Sequence, residues 1–97
     1  MFEIKFTERA IEDLRSFETV KRKQILRGVE SMLTYEPTTE TRNRKRLRPN
    51  KLAEWELRAG NFRVFYDVDQ GNKFIEIQAV GYKRGSRLFI AGEEYQL

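Results

Sequence analysis

The chain has 97 residues, of which 39% are hydrophobic and 35% charged. That is enough apolar material for one compact core and too little chain for two, so a single domain over 1–97 is expected. With no cysteine and no histidine, disulfides, thiol nucleophiles, thiolate metal sites, nucleophilic triads and histidine-pair ribonuclease chemistry are excluded, and neither a metal nor a cofactor is expected. Nineteen Lys and Arg against fifteen Asp and Glu leave a net charge of +4, which favours a polyanionic partner. No apolar run reaches the roughly 18 residues of a membrane span, and Met1 to Lys5 lack a signal-peptide layout. The expectation is a cytoplasmic protein with no membrane partner.

Phe2, Ile4 and Phe6 alternate with Glu3 and Lys5, which predicts a half-buried strand over 2–6. Thr7 then stands as an N-cap, and Ala10, Ile11, Leu14 and Phe17 fall on one face of a short helix. A second helix carries Ile25, Leu26, Val29, Met32 and Leu33 on one stripe and ends at Tyr35 or Glu36, because Pro37 disfavours helical geometry before it. The segment Arg42 to Lys51 gathers six cations without one acid; bracketed by Pro37 and Pro49, it reads as a connection between two structured parts.

Beyond it the period is two. Trp55, Leu57 and Ala59 alternate with polar residues, Gly60-Asn61 supplies a tight turn, and Phe62, Val64, Tyr66 and Val68 continue the pattern, which predicts a hairpin. After a turn at Asp69 to Asn72, a third strand spans 74–80 with Ile75, Ile77 and Ala79 on one face. Residues 87–97 are read as irregular or one helical turn, since Gly92 interrupts a helical stripe. The two amphipathic helices are the elements available to cover the apolar sheet face, so a two-layer α+β domain follows. The other face, with Arg58 and Arg63, stands open.

Arg44, Lys45, Arg46 and Arg48 read either as a solvated loop or as phosphate ligands, the guanidinium fork matching phosphate oxygens. Trp55 and Phe62 continue an inward alternation and read as core. Arg63, between Phe62 and Val64, must face the open side, because burying it unpaired costs several kcal/mol. Tyr82 ends the third strand beside Lys83, Arg84 and Arg87, and either stacks on a base or caps the sheet edge. Asp67 and Asp69 read as strand-end residues rather than a magnesium site.

The hairpin Trp55-Glu56-Leu57-Arg58-Ala59-Gly60-Asn61-Phe62-Arg63-Val64-Phe65-Tyr66 and the strand end Ala79-Val80-Gly81-Tyr82-Lys83 resemble the RelE/ParE superfamily of bacterial toxin–antitoxin toxins over nearly the whole chain. On the RelE branch the resemblance implies an mRNA endonuclease acting in the ribosomal A site and held inactive by a cognate antitoxin in a hetero-oligomer. On the ParE branch it implies an inhibitor of DNA gyrase. Arg63 and Lys83 fall on the family's phosphate-binding cations. The family's first-strand lysines fall on Glu54 and Glu56, and its base-stacking tyrosine falls on Phe89, which stacks but has no proton to give. The expected catalytic set is therefore Arg63, Lys83 and Glu56, with Glu56 as the base. RNA binding is expected from Arg44, Lys45, Arg46, Arg48, Arg58, Tyr82, Arg84, Arg87 and Phe89. A non-cleaving inhibitor and a decayed toxin that only binds its antitoxin are the alternatives. An antitoxin would cover the cationic face and the apolar residues Leu88, Phe89 and Ile90.

Overall fold

The computed structural model describes residues 1–97, and its elements run β1 (Glu3–Phe6), α1 (Glu8–Arg15), α2 (Thr19–Leu33), β2 (Arg44–Arg46), β3 (Trp55–Ala59), β4 (Phe62–Asp69), β5 (Phe74–Arg84), β6 (Arg87–Ile90) and β7 (Glu93–Glu94). Thr7 caps α1 as expected: its Oγ1 accepts from the Ala10 amide at 3.1 Å, satisfying one of the orphan donors of the first turn. α2 stops at Leu33 with Thr34 as its C-cap, two or three residues before the predicted end.

One sheet runs in the order β2-β3-β4-β5-β6-β7, antiparallel at every step. β1 lies parallel to the first half of β5, on the edge whose other half is taken by β6. Two expectations are corrected here. The basic segment is not merely a connection, since Arg44 to Arg46 pair with Leu57 to Trp55 as an edge strand. Residues 87–97 are not irregular either: they form the β6–β7 hairpin, turned by Ala91 and Gly92, both at positive φ. The glycine that breaks a helical stripe is here a turn residue.

Both helices lie on one sheet face. Ala10, Ile25, Val29 and Leu33 pack there against Trp55, Leu57, Val64, Tyr66, Ile75, Ile77 and Val80. Ile11 and Leu26, read as stripe residues, are instead largely exposed at the margins of their helices. A register shift between Phe65 and Tyr66 leaves Gln78 of β5 without a partner on β4. This bulge reverses the facing of the strand beyond it. Ala79 therefore leaves the face of Ile75 and Ile77 and joins the opposite one.

That opposite face is not simply open. Phe65, Ala79, Leu88 and Ile90 are buried there under Leu52 and Ala53, with Leu47 and Tyr95 at the margin. The loop after β2 and the C-terminal hairpin thus close a second, smaller core. Leu88 and Ile90 belong to it, so they offer no exposed apolar surface to a partner.

Candidate functional site

The second core covers only part of its face. Toward the β3–β4 turn, Arg58 lies opposite Arg63, and Arg63 opposite Gly81; Lys83 lies on the same face opposite Leu88. Three cations therefore share one end of the sheet, where period-2 alternation puts them. Arg63 Nη1 donates to the carbonyls of Gly60 and Phe62, each at 2.8 Å, while its Nε is buried without a partner. Burial lowers its pKa, with Glu56 opposing the shift and Arg58 adding to it; a guanidinium stays charged in proteins regardless.

Glu56 is only 4% exposed, and its Oε1 accepts from Arg58 Nε at 3.0 Å. A carboxylate so buried needs such a partner to remain stable. Lys83 is half-buried and lines a pocket with Glu56, Arg87 and Tyr95. Lys83, Arg84 and Arg48 take part in no ion pair.

The basic segment divides. Arg44 is 8% exposed: its Nε donates to Thr39 O and its Nη1 to Met32 O, both at 2.8 Å, and Glu36 lies 3.7 Å from Nη2. This side chain ties the end of α2 to the edge strand, and it leaves the phosphate-binding set because its donors are turned inward. Lys45, Arg46 and Arg48 stay exposed. Arg46 lies 5.6 Å over the Trp55 ring and 3.7 Å from Glu54.

Tyr82 and Phe89 stand on the opposite, helical face from Lys83 and Arg63, since neighbouring strand residues alternate. Their rings stack at 5.4 Å and 16°, and Tyr82 meets Phe17 edge-on at 6.2 Å. Arg87 lies over Phe89 and is paired with Glu94 at 2.7 Å. The expected RNA-binding set is thereby split across the sheet. A residue group absent from the sequence reading appears beside the aromatics: Phe17, Lys21 and Gln24 line an open cleft with Phe62, Tyr82 and Arg84. No local pattern marks Lys21, because only the docking of α2 against the hairpin brings it there.

Asp67 and Asp69 are occupied structurally, as strand-end residues. Asp67 accepts from the Glu54 amide and Gln78 Nε2, and Asp69 closes its turn by accepting from Asn72.

The family described as "ParE toxin of type II toxin-antitoxin system, parDE" matches residues 4–86. The chain belongs to this toxin family. No curated protein matches the toxin's sequence. Among solved structures its fold is similar to that in the toxin–antitoxin complex RelBE2 from Mycobacterium tuberculosis, at 23% identity and a TM-score of 0.73 over 84% of this chain and 98% of that one. The archaeal RelE–RelB complex from Pyrococcus horikoshii gives 23% identity and a TM-score of 0.67, covering 88% of this chain and 97% of that one. The intact Escherichia coli RelBE complex gives 18% and 0.60, covering 88% and 100%. The toxin is thus RelE-like in fold: two helices on an antiparallel sheet. No helix is long and apolar enough to cross a membrane.

Proposed function

We propose that the toxin stops translation by cutting mRNA on the ribosome and that a cognate antitoxin neutralises it by covering the cationic end of the sheet. The observation that carries this reading is the convergence of Arg58, Arg63 and Lys83 on one face, beside the buried carboxylate of Glu56, which Arg58 holds. A phosphodiester entering there competes with Glu56 for Arg58. Glu56, so released, takes the proton of the RNA 2′-hydroxyl; the 2′-oxygen bonds to phosphorus, the bond to the 5′-oxygen breaks, and that oxygen takes a proton from water. Arg63 and Lys83 stabilise the charge on the phosphorane, while the ribosome aligns the strand for in-line attack. The complexes of the fold relatives, each a toxin with its antitoxin, support the partner.

A second reading, a toxin that blocks the ribosome or DNA gyrase without cutting, is favoured by one observation. The Tyr82–Phe89 stack lies on the other face from Arg63, so base stacking and phosphate contact do not converge. Single-turnover cleavage on programmed ribosomes separates the two. Arg63→Ala should slow cleavage about 100-fold with little change in ribosome binding. Arrested translation with intact message and unaltered ends would establish the non-cleaving reading instead.

A further inference from the structure

Between the C-terminal end of α1, the start of α2 and the β3–β4, β5–β6 and β6–β7 turns lies the cleft that holds Lys21 and Arg84. None of the 14 residues lining it is acidic. Lys21 and Arg84 are exposed, and neither forms an ion pair, although the chain has fifteen acids to offer. Its apolar floor is the half-buried cluster Phe17, Phe62 and Tyr82, with Phe17 and Phe62 meeting edge-on at 5.4 Å. The rim is built from Gly60, Gly85 and Gly92, all at positive φ, and a Cβ at any of them would meet nothing within 4 Å. The Gly60 carbonyl is already taken by Arg63 Nη1, so what the cleft offers a ligand is an aromatic floor flanked by unneutralised cations.

We infer that this cleft is a second contact site for single-stranded RNA, in which a base lies against the aromatic floor and Lys21 and Arg84 hold the flanking phosphates. Aromatic surface combined with unpaired cations is what sequence-tolerant binding of single strands requires. A folded acidic peptide would find the cations but would leave the aromatic floor unused. Lys83 lines both this cleft and the pocket of Glu56, so a strand leaving Arg63 can round the sheet end at Gly85 and continue into it. The inference rests on the proposed RNA substrate, extending its path from one sheet face to the other.

The test is fluorescence anisotropy of a labelled oligouridylate of about ten nucleotides, a length within the range covered by single-strand binding folds, titrated with wild type and variants at several salt concentrations. Lys21→Ala/Arg84→Ala should lose about tenfold in affinity at low salt and lower the salt slope by about 1.4, the loss of two single-strand phosphate contacts. Lys5→Ala/Lys73→Ala removes the same charge at the opposite end of β5, where both residues are exposed, and should change affinity less than twofold. Equal losses in the two double variants, or no loss in the first, overturn the inference. Wild type that binds with this dependence but cuts no mRNA supports the cleft and overturns the nuclease reading alone.

Discussion

Val80 has no strand neighbour for its amide, because β1 stops pairing at Ile77 and β6 starts at Gly81. Asp13 of α1 fills the gap: its Oδ2 accepts from Val80 N at 3.0 Å, while Thr7 Oγ1 donates to the Gln78 carbonyl. Burial raises the Asp13 pKa above 3.8, and the Val80 amide and Arg9 only partly oppose the shift. A carboxyl whose folded pKa is raised takes up a proton on folding. Its contribution to stability therefore falls as pH rises from 3.8 through the folded value. Asp13→Asn keeps an acceptor for Val80 and has nothing to titrate. Urea melts across this window should show wild type losing stability relative to Asp13→Asn as pH rises; a difference that stays flat would show that Asp13 does not titrate there. Arg44 makes a complementary case, a cation whose hydrogen bonds all serve the fold. Arg44→Ala should cost about 2–4 kcal/mol in denaturant unfolding, because it orphans the carbonyls of Met32 and Thr39.

Among the elements, β5 and β6 approach closely at one glycine. A Cβ on Gly81 would sit 2.3 Å from the Phe89 carbonyl oxygen and 2.9 Å from Ile90 Cγ1, and backbone atoms cannot yield as a flexible side-chain tip does. Gly81→Ala should push β6 outward and destabilise by about 2–3 kcal/mol, read as a lower urea midpoint and faster amide exchange at Ile90. The helices, the β3–β4 hairpin and the outward facing of Arg63 were legible in the sequence, because periods of 3.6 and 2 are local properties. Other features were not. The bulge at Gln78 lies in how β5 pairs with β4, which no local period shows. The burial of Arg44 depends on where α2 ends. The β6–β7 hairpin was obscured because Gly92 has one meaning in a helix and another in a turn. The bulge also shifts the strand by one residue, so Tyr82 and Lys83 take the faces opposite to those that unbroken alternation from Ile75 gives them.

For the molecule as a whole, the C-terminal hairpin closes the second core although it lies beyond the residues 4–86 that the toxin family matches. Ending the chain after Ser86 removes Leu88, Ile90 and Tyr95 from Phe65 and Ala79. Burial of such side chains contributes roughly 1.5–3 kcal/mol each, a large part of a small domain's stability. The shortened chain should bind a hydrophobic dye and lose its cooperative melt; an unchanged transition would show that the hairpin is an ornament. The placement of β1 has a further consequence in time. Contacts that link distant parts of a chain form late, and Thr7 reaches Gln78 across 71 residues. A nascent chain therefore carries its first strand unpaired until β5 has been made. The cationic end of the sheet, which needs Lys83 of β5 beside Arg63 of β4, comes into being only after β5 has been made, so an unfinished chain does not yet present that surface.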